Sequence, residues 1–232
     1  MYELSARQLH LHLARIFLVV LAFASGRFAA GQSDSNHTAA ETVPNTPAWL
    51  LTKNEFGIWA GYSPFSFVLK GTSKDRQLFL LNLQYARTLW SRRPLRLKYT
   101  AEAVPVAVEF QPTQRYLVNG KVVTNPSAAV YGAGANPVGL QANFGSKRVQ
   151  PFISGTLGFI YFSRQVPVIG SSQFNYTISV GFGMQVYARS GRSLSFGWKY
   201  HHLSNDNEAH LNPGMDSGVF YVGYTISGSP RK

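Results

Sequence analysis

Residues 174–186 read FNYTISVGFGMQV, and apolar side chains occupy every second position of that stretch. The apolar set begins at Phe174 and ends at Val186, while the positions between carry only Asn, Thr, Ser, Gly and Gln. Successive side chains of a β-strand point to opposite faces, so this period predicts a strand with one apolar and one polar face. The stretch is longer than the usual globular strand of about five or six residues, and it suits a tilted strand that crosses a membrane.

The same alternation recurs along the rest of the chain, most clearly at residues 77–89 and 95–103. About eight such segments can be recognised, near residues 55–63, 77–90, 95–110, 136–145, 149–163, 173–188, 193–204 and 215–226. An even number of long amphipathic strands is typical of membrane barrels. The pattern therefore predicts an all-β fold, an eight-stranded antiparallel outer-membrane β-barrel.

The connections between these segments alternate in length. Residues 91–94, 145–148 and 189–192 form short connections, and residues 64–76, 111–135, 164–172 and 205–214 form longer ones. Short periplasmic turns and long extracellular loops are the pattern of outer-membrane barrels. The alternative is a soluble periplasmic lipid-binding barrel, which would carry its apolar side chains inside and its polar ones outside.

The first 31 residues have the pattern of an export signal. Arg7 and Arg15 precede an apolar run at residues 16–23, and Ala29 and Gly31 stand at the −3 and −1 positions of a signal-peptidase site. The predicted organisation is a signal peptide at 1–31, a flexible segment at 32–54, a β-barrel at 55–226 and a C-terminal tail at 227–232.

The chain carries a net charge of +12 at pH 7 and contains no cysteine. No disulfide and no cysteine-linked lipid anchor is therefore expected, although export would permit both. Positive charge favours polyanionic partners, and outside the cytoplasm these are lipopolysaccharide and acidic lipids, not nucleic acid. The predicted partner is thus the membrane surface itself, and the sequence is also compatible with a homodimer.

Histidines and acids crowd around one serine in residues 199–216, which read KYHHLSNDNEAHLNPGMD. Counting alternate positions along the last two strands puts His202, Ser204 and Asp216 on the same face as the apolar side chains. That face meets lipid, where an ionisable group costs up to about 2–4 kcal/mol at the midplane and less near the interface. A base, a hydroxyl and an acid are the parts of acyl-transfer chemistry. The alternative is that the strands end near residue 201 and that a polar loop follows.

The pattern H-x-S-N followed by N-x-G-x-D, over residues 202–216, resembles the signature of the lipid A 3-O-deacylase family of outer-membrane enzymes. The resemblance implies an eight-stranded barrel with a catalytic triad on its outer face. By position, Ser204 would be the nucleophile, His202 the general base and Asp216 the acid that orients the base.

The resemblance also implies roles for the neighbouring residues. Asn205 would contribute to the oxyanion hole, and Asn212 and Gly214 would shape the turn. The best-known members of the family carry Glu where this chain has Asp216, so Glu208 is an alternative acid.

The resulting hypothesis is an outer-membrane serine esterase that removes an ester-linked acyl chain from lipid A without a metal or cofactor. The rival hypotheses are a non-catalytic barrel, acting as an adhesin or scaffold, and the soluble lipid-binding barrel. Alternation puts His201 and His202 on opposite faces, so no shared metal ion is expected. Ion pairs within the lumen are predicted for Arg96, Lys98 and Glu102.

Overall fold

The computed structural model describes residues 53–118, 120–188 and 191–228. The predicted signal peptide, nearly all of the predicted flexible segment and most of the predicted tail lie outside the described residues. Across those described ranges, no helix is long and apolar enough to cross a membrane.

β-strands dominate the described residues, and each long one follows a segment of alternating sequence. They are β1 (Asn54–Ser63), β2 (Ser66–Phe67), β3 (Gln77–Arg92), β4 (Leu95–Gln111), β5 (Gln114–Val118), β6 (Lys121–Asn125), β7 (Ala128–Phe144), β8 (Val149–Phe162), β9 (Phe174–Tyr187), β10 (Arg192–Ser204) and β11 (Met215–Ser227).

Eight long strands form one closed antiparallel sheet. Its order is β1-β3-β4-β7-β8-β9-β10-β11, and β11 pairs back with β1 from Glu55↔Ser227 to Tyr62↔Phe220. Closure gives every strand two neighbours and leaves no free edge, which a spanning sheet requires in lipid. The predicted all-β, eight-stranded antiparallel barrel is confirmed. The short β2 follows β1 along the same edge of β11, where it pairs with Asp216 and Ser217.

The connection predicted at residues 111–135 is too long. It does contain a hairpin, β5–β6, where the Asn-Gly pair at 119–120 favours a turn, but β7 already begins at Ala128, eight residues before the predicted segment. The early part of β7 is rich in Ala and Gly, and a Cβ at Gly134 would collide with the Phe159 carbonyl oxygen. A shift in the pairing with β8 between Ala135 and Val138 also interrupts the two-residue period. Because its side chains are small and a bulge interrupts its period, the first half of β7 could not be recognised from the alternation of the sequence.

Polar side chains fill the barrel and apolar ones cover it. Phe182 and Val222 are exposed on the outside, whereas Glu55, Lys98 and Gln185 are buried inside. A soluble cup would have the opposite arrangement. The soluble-barrel alternative is therefore wrong.

Ion pairs stabilise the polar lumen, as predicted. Lys98 Nζ lies 2.8 Å from Glu55 Oε2, and Arg96 Nη2 lies 3.4 Å from Glu55 Oε1. Further along the lumen Lys199 Nζ lies 3.5 Å from Glu102 Oε1. Buried charges need such partners, because an isolated charge in a low-dielectric interior is very costly.

Candidate functional site

The site lies where β10 and β11 approach the end of the barrel that carries the longer loops. His202 and Asp216 are direct partners across the two strands, and β10 continues to Ser204. The alternative in which the strands end near residue 201 is therefore wrong. His202 and Asp216 have the same strand parity as the exposed Phe196 and Phe220, as the alternation predicted.

His202 and Asp216 form a close pair. His202 Nδ1 lies 2.6 Å from Asp216 Oδ1. Although both have the parity of exposed side chains, His202 is only 5% exposed and Asp216 is fully buried. Something must therefore cover this pair on the outside of the barrel.

Part of the cover is aromatic. Tyr200, two residues before His202 on the same face, donates its hydroxyl to Asp216 Oδ1 at 2.7 Å. Its ring stacks on the imidazole of His202, with centroids 6.5 Å apart and planes inclined by 14°. Phe67 of β2 also packs on the Tyr200 ring, with the two centroids 6.1 Å apart and the planes inclined by 45°.

The rest of the cover is a backbone segment between β2 and β3, which we call the amide clamp (residues 69–71). The backbone N–H groups of Leu69, Lys70 and Gly71 all donate to Asp216 Oδ2, at 2.8, 2.7 and 2.7 Å. Successive backbone N–H groups that converge in this way form an anion-binding concavity. The carboxylate thus accepts five hydrogen bonds, which offset the cost of burying it.

These donors determine which nitrogen of His202 carries the proton. An ionised carboxylate only accepts hydrogen bonds, so Nδ1 of His202 must be the donor toward Asp216. The second nitrogen, Nε2, then keeps its lone pair in the neutral ring. In the described part of the chain Nε2 has no hydrogen-bond partner, which leaves it available to accept a proton.

Ser204 follows His202 by two residues and shares its parity. Two strand steps separate their Cα atoms by roughly 7 Å, a span that an imidazole and a hydroxyl can bridge between them. Among the described residues, no hydrogen bond joins Ser204 to His202. The structure therefore brings His202 and Asp216 into contact and leaves Ser204 beside them, half-buried and unbonded.

The loop after Ser204 is held by its asparagines. The Asn205 amide Nδ2 donates to the Leu211 carbonyl oxygen at 2.8 Å, and its backbone N–H donates to Asn212 Oδ1 at 3.1 Å. Gly214 has a φ of +59°, and a Cβ there would lie 3.2 Å from His202 Cε1. Asn205 and Asn212 thus close the loop, while Gly214 allows it to pass close to the imidazole.

Glu208, the alternative acid, lies apart from this pair. Its Oε1 accepts a hydrogen bond from the Tyr176 hydroxyl at 3.0 Å, and its backbone N–H donates to the Asn205 carbonyl. No bond joins Glu208 to His202 in the ranges that the structure covers. Asp216, not Glu208, is the acid in contact with the imidazole.

His201 lies on the lumen side, as its parity predicted. Its Nδ1 is 2.7 Å from Ser179 Oγ, and the residue is buried. Within the described residues, no group of three or more His, Cys, Asp and Glu side chains is arranged to hold a metal ion.

Two parts of the site were not predicted from the sequence. Tyr200 continues the alternation of apolar and aromatic side chains along β10, and only its hydroxyl and its two-residue spacing from His202 could have marked it. The amide clamp acts through main-chain N–H groups, which every residue except proline possesses, so no side-chain pattern reveals it.

Comparison with known proteins agrees with this architecture. The crystal structure of the outer membrane enzyme PagL superposes with a TM-score of 0.52 and 19% sequence identity, covering 74% of this chain and 99% of that one. Neisserial surface protein A gives a TM-score of 0.48 and 14% identity, covering 75% of this chain and 97% of that one. No curated protein matches the sequence.

Residues 83–225 match the family described as Lipid A 3-O-deacylase (PagL). The match takes in β4–β10, the last ten residues of β3 and nearly all of β11, and thus the whole His202 to Asp216 stretch. The resemblance predicted from that stretch is confirmed. The chain is an outer-membrane β-barrel that belongs to the lipid A 3-O-deacylase (PagL) family.

Proposed function

We propose that this protein is an outer-membrane serine esterase that removes an ester-linked acyl chain from lipid A, with Ser204, His202 and Asp216 as its catalytic triad. The observation that carries the proposal is the 2.6 Å contact between His202 Nδ1 and Asp216 Oδ1. It orients the imidazole through Nδ1 and leaves Nε2 without a hydrogen-bond partner among the described residues. This is the division of roles in a Ser-His-acid triad.

In the proposed acylation step, Ser204 Oγ attacks the acyl carbonyl carbon while His202 Nε2 takes the hydroxyl proton. The tetrahedral intermediate then collapses, and the imidazolium returns that proton to the departing sugar oxygen. The products are an acyl ester on Ser204 and a free hydroxyl on the glycolipid. Water, activated by the same imidazole, then releases the fatty acid and regenerates Ser204.

The developing oxyanion needs hydrogen-bond donors near Ser204. Asn205, the next residue, has a second Nδ2 hydrogen beyond the one donated to the Leu211 carbonyl. We assign the oxyanion role to that hydrogen. The hydrogen bond from the Asn205 backbone N–H to Asn212 and the tight turn at Gly214 would hold it in place.

The proposed substrate lies in the outer leaflet, beside the site. In outer-membrane barrels the longer loops are extracellular, and β10 and β11 meet at that end. The parity of His202 and Ser204 points them away from the lumen, and Leu69 of the amide clamp is 72% exposed next to them. An acyl ester could thus reach Ser204 without leaving the membrane. Export to that membrane would use residues 1–31 as a signal peptide.

Mass spectrometry of lipid A from cells that express the full chain tests this function. We expect wild-type protein to remove the mass of one hydroxyacyl chain and Ser204→Ala to leave lipid A intact. Ser195→Ala is the matched control, because Ser195 lies on the same strand with the opposite parity. It should deacylate as the wild type does.

Two outcomes would contradict the proposal. Intact lipid A in cells with correctly inserted wild-type barrel would favour the non-catalytic alternative. Unchanged deacylation by Ser204→Ala would exclude Ser204 as the nucleophile.

A further inference from the structure

We infer that the amide clamp and Tyr200 are positioning groups, which hold the Asp216 carboxylate in the one place from which it can orient His202. The inference rests on the proposed esterase function. It adds that a loop outside the sequence signature completes the site, and that the site is built for Asp and not for Glu.

The first observation is the convergence of the clamp on one atom. All three of its N–H groups reach Asp216 Oδ2 within 2.8 Å, while Tyr200 and His202 share Oδ1. Because both oxygens accept hydrogen bonds, the carboxylate cannot rotate without breaking several of them. Hydrogen bonds to a charged acceptor are stronger than those between neutral groups.

The second observation is a close backbone contact that fixes the clamp itself. A Cβ at Gly71 would lie 2.6 Å from the Gly214 carbonyl carbon, so only glycine fits there. The following residues, Thr72 and Ser73, donate their backbone N–H groups to the carbonyl oxygens of Pro213 and Gly214. The clamp is therefore attached to the same turn that packs against His202.

This arrangement accounts for the aspartate. A glutamate at position 216 would carry its carboxylate about 1.5 Å further from the strand, one carbon–carbon bond more. That space is occupied by the backbone of residues 69–71, which cannot yield as a flexible side chain could. The clamp thus accommodates the shorter acid, and lengthening the acid should disturb it.

The first test replaces Asp216 by glutamate, the acid that the best-known family members carry at this position. We expect Asp216→Glu to lower kcat by roughly tenfold or more, since several hydrogen bonds to the carboxylate are lost or displaced. KM should change little, because the carboxylate does not touch substrate. The measurement uses the purified full chain in detergent micelles, with lipid A as the substrate. Wild-type or higher kcat in this variant would overturn the inference.

The second test removes one clamp donor. Lys70→Pro eliminates both the lysine side chain and the backbone N–H. Lys70→Ala removes the same side chain but keeps the backbone N–H. We expect kcat of the proline variant to lie roughly tenfold below that of the alanine variant, with similar KM. The difference isolates the N–H group from the charge of Lys70. Equal kcat values would contradict a positioning role for the clamp.

Tyr200→Phe keeps the ring that stacks on His202 and removes only the hydroxyl, so it remains informative if the proline variant fails to fold. A kcat reduced roughly three- to tenfold at constant KM is expected for the loss of one hydrogen bond to a charged acceptor. Heat-modifiable migration in electrophoresis verifies that each barrel is folded. Ser204→Ala separates the two proposals. If it is inactive while Asp216→Glu, Lys70→Pro and Tyr200→Phe match their controls, the esterase stands and the positioning inference fails.

Discussion

Glu55 in the lumen and Asp216 on the outer face are both buried carboxylates, but their partners differ. Glu55 lies between two cations, with Lys98 at 2.8 Å and Arg96 at 3.4 Å. Asp216 accepts hydrogen bonds from a tyrosine hydroxyl, an imidazole and three backbone N–H groups. Among the described residues, no Lys or Arg forms an ion pair with it.

The difference separates a structural charge from the one that we propose acts in catalysis. Around Glu55 the negative charge is neutralised in the ground state, so the pair contributes only to the integrity of the barrel. Around Asp216 neutral dipoles hold the carboxylate and leave its charge uncompensated. In the proposed triad that charge is most stabilising when His202 takes a proton and becomes an imidazolium in the transition state of acyl transfer.

The largest expected effect follows removal of the proposed base. His202→Ala should lower kcat on the order of 10⁵–10⁶-fold, as loss of the catalytic histidine does in known serine hydrolases. His201→Ala is the matched control, since the adjacent imidazole faces the lumen and contacts Ser179. Its activity should stay close to that of the wild type. Comparable losses in both variants would mean that the parity assignment is wrong.

The next effect removes the charge of the acid without changing its size. Asp216→Asn should lower kcat by roughly 10⁴-fold, because an amide cannot accept from all five donors and no longer favours the imidazolium. The corresponding change in the lumen, Glu55→Gln, should leave kcat within about twofold of the wild type. Lipid A hydrolysis by both purified variants measures the contrast. A similar kcat for the two would remove the distinction between the two carboxylates.

The lumen pair should instead affect stability. Lys98→Met leaves Glu55 with the more distant Arg96 and should lower the free energy of unfolding by about 3 kcal/mol. Glu55→Gln combined with Lys98→Met should lose more than Lys98→Met alone, because the buried Arg96 then also loses the Glu55 carboxylate that lies 3.4 Å from its Nη2. Urea unfolding of the full chain in detergent measures both. A double variant as stable as Lys98→Met alone would contradict the ion-pair account.

The smallest effect concerns the rejected acid. Glu208→Gln alters only a solvent-facing hydrogen bond to Tyr176, so kcat should remain within about twofold of the wild type. Lipid A deacylation under identical conditions provides the measurement. A loss of tenfold or more would return Glu208 to consideration as the acid.

The same contrast explains what the sequence could reveal. The two-residue period predicted the barrel, the shared parity of His202 and Asp216, and the lumen position of Lys98. Periodicity works for these features because burial acts on side chains. It could not supply Glu55 as the partner of Lys98, since that pair joins strands 43 residues apart. It could not reveal the amide clamp, whose donors are main-chain groups, or the first half of β7, whose Gly and Ala residues carry little hydropathy signal.

The most direct test of the central claim is covalent labelling with a fluorophosphonate, which modifies serines that an adjacent base activates. Folded wild-type protein should gain one adduct, located on the Ser204 peptide by mass spectrometry. The adduct should be absent from His202→Ala and strongly slowed in Asp216→Asn, yet form at the wild-type rate in Glu55→Gln. An adduct on another serine, or one that still forms at Ser204 without His202, would contradict the account.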